Sequence, residues 1–192
     1  MNILVLIKQV PNSESIIKLN DSKTGIEKEG LDLILNPNDE FAMEEALKMK
    51  EKFDGEITAI SLGPDSAKSA LRTCLAMGAD KAVYLSSDDV SGVDSIQIVS
   101  VLYDAIKQLS YDIIFCGSSA IDTDNGAVGI QLAEFLGIPH VATITKLEIN
   151  DDGKKAVAHR RAGDFEEVVE CELPALFTCP KGLNEMRNIK MP

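Results

Sequence analysis

A chain of 192 residues that is 45% hydrophobic has room for one sizeable α/β core and too little for two comfortable domains. Its formal charge of −12 argues against nucleic acid and against an anionic membrane surface as partners, because both demand a basic face. Cys74, Cys116, Cys171 and Cys179 stand at wide spacings without a CxxC pair, and His140 and His159 have no Cys or His nearby, so reduced thiols are expected, with no disulfide frame and no metal site.

Residues 3–7 (ILVLI) form an unbroken apolar run, the pattern of a strand covered on both faces in a parallel sheet, with Lys8 at its end. Residues 11–35 are polar and turn-rich, with β-like pieces at 16–19 and 33–35 and a turn near Thr24-Gly25. Asn36-Pro37-Asn38-Asp39 reads as a helix start, with Asn36 as cap, Pro37 in the first position and Asp39 placed to complement the dipole. Ala42, Ala46, Met49 and Phe53 supply its apolar stripe. A strand over 56–62 is broken by Gly63-Pro64, and a helix over 66–77 turns Ala67, Ala70, Leu71, Cys74 and Leu75 inward. A strand at 81–85 follows, then a strongly periodic helix carrying Ile98, Val101, Leu102, Ala105, Ile106 and Leu109.

The strand at 112–116 (DIIFC) leads into a small polar loop and a further helix with Val128, Ile130, Leu132, Ala133 and Leu136 inside, closed by Gly137 and Pro139. A loop leaving the carboxyl end of a buried strand and feeding a helix N-terminus offers free N–H groups to phosphate oxygens. Asp122 and Asp124 would repel phosphate, so they are read as helix caps or as acceptors for ribose hydroxyls, with phosphate left to main-chain N–H groups and to Ser118 and Ser119. The loop matches neither GxGxxG nor GxxxxGK[ST], and by itself it suits a plain connection slightly better. Beyond Pro139, residues 141–149, 156–159 and 166–172 alternate around Asp151-Asp152-Gly153 as antiparallel strands at a sheet edge, 173–178 is a further buried strand, and the last dozen residues show no period.

This order predicts an α/β fold, a parallel sheet with helices on both faces in the manner of Rossmann-like adenine-nucleotide-binding domains, with antiparallel edge strands near the C-terminus. Residues 1–178 form the domain, and 179–192 a separate C-terminal loop. Ligands in such sheets bind beyond the carboxyl ends of the strands, where residues 6–8, 36–39, 62–63 and 117–128 converge. The opening MNILVLIKQVP lacks the apolar core of an export signal and no run reaches bilayer length, so a cytoplasmic location without membrane insertion is expected.

Five ordered stretches, IKQVP at 7–11, LNPNDEFAMEEALKMKE at 35–51, LGP at 62–64 with LRTCLAMGAD at 71–80, CGSSAIDTDNGAVG at 116–129 and HRRAGDFEEVVECELPALFT at 159–178, resemble the β (small) subunit of electron transfer flavoproteins. The resemblance implies a non-enzymatic carrier. It implies a heterodimer with an α subunit that shares FAD, takes electrons from dehydrogenases, the acyl-CoA dehydrogenase type among them, and passes them to an acceptor. It also implies a nucleotide site in this chain, for AMP in one branch of the family and a second FAD in the bifurcating branch. The matching positions are Leu6, Asn36, Pro37, Asn38, Asp39, Leu62, Gly117, Ser118, Ser119, Ala120, Ile121, Asp122, Thr123, Asp124, Asn125, Gly126, Ala127 and Val128. Val128-Gly129 and Ala133-Glu134 lean towards the second FAD, while Thr123, Asn125, Gly126 and Ala127 depart from that branch's D-G-D-T-A-Q-V-G string.

Arg160, Asp164, Glu167 and Leu173-Pro174 fit a family signature in which Gly163-Asp164 reverses the usual order; both Arg160 and Arg161 read equally well as exposed strand-edge charges. The tail KGLNEMRNIKMP resembles the segment that docks on a dehydrogenase, with Leu183 and Met191 as its apolar contacts, and on that resemblance the family's following arm is expected to be missing here. The competing readings are a stand-alone, universal-stress-like nucleotide sensor and, more weakly, a hydrolase, for which there is no GxSxG and no His beside a nucleophile.

Overall fold

The computed structural model describes residues 1–27, 29–88, 90 and 92–187. Six parallel strands form the central sheet in the order β5-β4-β1-β6-β11-β7: β1 is Asn2–Leu6, β4 Glu56–Gly63, β5 Lys81–Ser86, β6 Ile113–Gly117, β7 His140–Val141 and β11 Ala175–Cys179. Between them run α1 (Pro37–Phe53), α2 (Lys68–Met77), α3 (Ser95–Ile106) and α4 (Val128–Leu136). The run ILVLI is buried on both faces, as its lack of alternation requires. Ile3 and Val5 face the layer of α1 and α2, whereas Leu4 and Leu6 face that of α3 and α4. β6 and β11 repeat the arrangement, and the Phe115 and Phe177 rings meet at 6.0 Å on the α1 side. Burying each such Ile, Leu or Phe contributes about 1.5–3 kcal/mol, which makes this doubly covered sheet the centre of stability.

The helix stripes differ from the periodic reading at two positions. In α2, Leu75 is 41% exposed and Met77 takes the inward place; in α3, Val101 is 47% exposed while Val99 is fully buried. Both helices lie flat on the sheet, so the buried arc is narrower than a count of apolar residues suggests. Around the polar stretch at 11–35, β2 (Gln9–Pro11) pairs with β3 (Leu33–Leu35), and the expected strand at 16–19 reduces to one bridge between Leu19 and Ile26. Ile16 and Leu19 stand exposed.

After α4 the expected single strand over 141–149 is two. β7 joins the parallel sheet beside β11, and β8 (Ile144–Ile149) starts afresh after Thr143, whose φ of 54° breaks the run. The amide freed by that break donates to the buried Thr178 hydroxyl at 2.7 Å. The antiparallel strands β8, β9 (Lys155–Ala162) and β10 (Phe165–Glu172) pair with one another as a sheet of their own, order β10-β9-β8. Arg160 and Arg161 therefore lie on the middle strand and not on an edge, facing Glu167 and Glu166 across β10.

Candidate functional site at the carboxyl edge of the sheet

Four separate segments meet where β1, β4 and β6 end. Asp39, 5% exposed in the first turn of α1, is the knot. Its carboxylate accepts from the Lys8 amide at 2.7 Å, from the Gly117 amide at 3.0 Å and from Asn36 Nδ2 at 3.0 Å, so one side chain ties the end of β1, the end of β6 and the start of α1. A Cβ at Gly117 would overlap Asp39 Oδ1 and Asn38, which is why glycine stands there. Burial pushes the Asp39 carboxyl up to about 7, against the pull of its three donors and of the Lys8 charge.

Asn36 occupies the cap position of α1 without capping it through its side chain. The amide reaches across the edge instead: Nδ2 also donates to Ser119 O at 2.9 Å and Oδ1 accepts from the Ile121 amide at 3.2 Å. Asn38 Nδ2 donates to the same Ser119 carbonyl at 2.9 Å. Pro37 opens the helix between them. Leu6 ends β1, and Leu62 lies two residues beyond Ile60, the register partner of Leu6, on the same edge. The residues Ala120, Ile121, Thr123, Asn125, Gly126 and Ala127 complete the loop, whose turn closes with the Asp124 amide on Ala120 O at 2.8 Å.

The two loop carboxylates are not helix caps. Asp122 accepts both of its bonds from Lys8 Nζ, at 2.8 and 2.7 Å, and Asp124 accepts from Ser119 Oγ at 2.6 Å. α4 begins at Val128 with no side-chain cap, so the loop's negative charge is turned away or neutralised while the helix N-terminus keeps its main-chain donors. Lys8 lies in the converging segment 6–8, but not among the positions that the family resemblance gives. The signal for it was available, since a lysine closing a buried strand beside an acidic loop needs a counter-charge. Gly129 lets the first turn of α4 press against Cys116 Sγ. Burial raises the Cys116 thiol far above its ordinary range, as it does Cys179, and Cys74 is pushed up to about 12, so these thiols are inert packing.

A second structure borders the first. Residues 180–187 run along α1 as a strap. The Lys181 amide donates to Asn38 Oδ1 at 3.1 Å, Asn184 Nδ2 to Phe41 O at 3.1 Å and to Glu45 at 3.0 Å, and the Arg187 guanidinium to Glu44 and Glu51 at 2.9 and 2.6 Å. Leu183 is half-buried against the core and lines a hollow of about 610 Å³ with Thr143, Arg161 and Lys181, away from the loop at 117–128. Met191 lies outside the described residues. The strap had a signal too: Glu44 and Glu45 are buried on α1, Glu45 inside the apolar stripe, and a buried carboxylate demands a partner. Among the described residues no group of three His, Cys, Asp or Glu side chains gathers to hold a metal ion, and no helix is long and apolar enough to cross a membrane.

Comparison with known proteins bears on what such an edge serves. The electron transfer flavoprotein domain family matches residues 24–191. The chain is 45% identical over 187 residues to the electron transfer flavoprotein subunit beta of Thermoanaerobacterium thermosaccharolyticum, covering 97% of this chain and 71% of that protein. To the subunit beta of Bacillus subtilis it is 43% identical over 193 residues, 100% of this chain and 74% of the relative. Subunit CarD of the caffeyl-CoA reductase-Etf complex of Acetobacterium woodii is 42% identical over 190 residues, 97% and 71%. Nothing in these matches favours a stand-alone sensor, and with similarity of this order over nearly the whole chain, laid on a doubly covered parallel sheet, the chain belongs to the electron transfer flavoprotein family as a β subunit, part of a heterodimeric electron carrier and not an enzyme.

Proposed function

We propose that this β subunit holds an adenine nucleotide at the carboxyl edge, with residues 36–39 and 117–128 as its cradle. The carrying observation is the paired state of the loop: Asp122 is neutralised by Lys8 and Asp124 is engaged by Ser119, while the start of α4 is uncapped. Phosphate oxygens suit those amides, and the Asp122 carboxylate, steadied by Lys8, suits a ribose hydroxyl. Of the two nucleotides the family uses, the second FAD is the reading we favour, on Val128-Gly129 and Ala133-Glu134, with AMP as the other outcome. A flavin supplies reversible one- and two-electron storage when bound; this chain's residues bind and orient its adenylate end. The FAD shared with an α subunit lies at the interface of the two chains in this proposal.

The dehydrogenase partner docks on the tail 179–192 through Leu183 and Met191. An acyl-CoA type of partner suits the relative that is named a subunit of a caffeyl-CoA reductase complex. Acid extraction of the purified chain, with identification of the released nucleotide, tests the reading. FAD or AMP in near-equal amount to protein supports it, and selects the branch; protein that releases neither, and binds neither when they are supplied, overturns it.

A further inference from the structure

Asn38 touches both halves of this molecule's function. Its Nδ2 donates to Ser119 O in the nucleotide loop at 2.9 Å, and its Oδ1 accepts from the Lys181 amide in the strap at 3.1 Å. Only this orientation of the amide satisfies both, since the reverse would set carbonyl against carbonyl. Beside it the Ser118 amide donates to Cys179 O at 2.8 Å, which ends the ladder between β6 and β11 and fixes the start of the loop to the sheet. Loop residue 119 is thus tied to strap residue 181 through one side chain, close to where the loop and the strap leave the neighbouring strands β6 and β11. There is no slack behind the bridge, because Gly117 packs against Asn38 so closely that a Cβ would overlap it. The Asn amide is planar, so a shift of its nitrogen end with Ser119 carries its oxygen end, and the acceptor of Lys181, along.

We propose that Asn38 is a positioning residue that couples nucleotide occupancy to the seating of the docking strap. A ligand moves such an equilibrium only by binding better to one state. Here the seated strap places Asn38, Asn38 holds the Ser119 carbonyl together with Asn36, and that carbonyl belongs to the nucleotide cradle. Linkage then works in both directions: a filled loop holds the strap on α1, and a seated strap raises nucleotide affinity by the same factor. The inference rests on the nucleotide reading above.

Amide hydrogen exchange on this chain, with AMP as the probe, tests it. Saturating AMP should slow exchange at Lys181 and Leu183 about fivefold, the low end of coupling between sites. Asn38→Asp keeps an acceptor for Lys181 and suits the first turn of a helix, but has no donor for Ser119 O, so AMP should leave its strap unchanged; Asn38→Gln, with both groups on a longer arm, should recover part of the response. AMP that binds the wild type without altering residues 181–187, or an equal response in Asn38→Asp, overturns the coupling alone. Absence of AMP binding, followed by absence of FAD binding, overturns the nucleotide reading and the coupling together.

Discussion

Asp39 is a carboxylate taken out of water by the fold and held by three donors. Its folded-state value of about 7, against an ordinary 3.8, means that the native chain binds an extra proton between those limits. Stability from this group is therefore complete below about pH 4 and is lost as the pH rises to about 7. Relative to Asp39→Asn, which does not titrate, the wild type should lose about 1–3 kcal/mol between about pH 5 and about pH 7, read by urea unfolding at both; parallel curves would show that the donors hold the anion throughout. Gly126 is the second residue whose identity matters. Its φ is 61°, and a Cβ there would stand 3.0 Å from Ser118 O. Gly126→Val should strain the loop by about 1–2 kcal/mol and lower nucleotide affinity by a comparable factor, with the sheet intact by circular dichroism; wild-type affinity in the folded variant would remove the loop from the site.

At the scale of elements, α1 does three things with one length of chain. Its inner stripe packs the sheet, its first turn builds the carboxyl edge proposed to hold the nucleotide, and its carboxylates hold the strap. Arg187 covers Glu44, whose side chain is only 4% exposed, while Glu51 is open to solvent. Arg187→Ala would leave Glu44 buried and unpaired, which costs about 1–3 kcal/mol once the partial exposure of Arg187 is discounted. Lys81→Ala breaks an ion pair with Glu56 whose side chains are 61% and 45% exposed, and should cost almost nothing. Equal urea midpoints for the two variants would refute the buried-pair account. Early cleavage of the strap by protease in Arg187→Ala, and not in Lys81→Ala, is the companion expectation.

For the whole molecule, a β subunit is one half of a heterodimeric electron carrier, and in the proposed assembly one FAD is shared between the two halves. The isolated chain should hold no redox-active FAD in that shared site, and co-expression with an α subunit should yield a yellow complex. A flavin spectrum unchanged by the α subunit would speak for a self-sufficient flavoprotein. In that heterodimer Met191→Ala should slow electron transfer from a dehydrogenase at limiting concentration through weaker association, since truncating an interface anchor costs about 1–4 kcal/mol, with flavin content and spectrum unchanged. Equal rates would dismiss Met191 as an anchor.

Much of the fold was legible in the residues: the alternation-free run at 3–7, Pro37 at a helix start and the Gly137 stop are local statements, and local backbone chemistry carries them. The convergence of residues 6–8, 36–39 and 117–128 follows from the parallel order of the strands, which brings their carboxyl ends to one edge. Period alone could not say that Leu75 and Val101 face water, because that depends on how a helix rests on the sheet. Nor could it split 141–149 at Thr143, where the deciding partner, Thr178, lies 35 residues away. Which side chains close the edge was decided only by the tertiary structure: Lys8 meets Asp122 across 114 residues, and Arg187 meets Glu44 across 143. Composition fixes how many charges a chain carries, but pairing is a matter of distance, and distance between remote residues exists only once the sheet has formed.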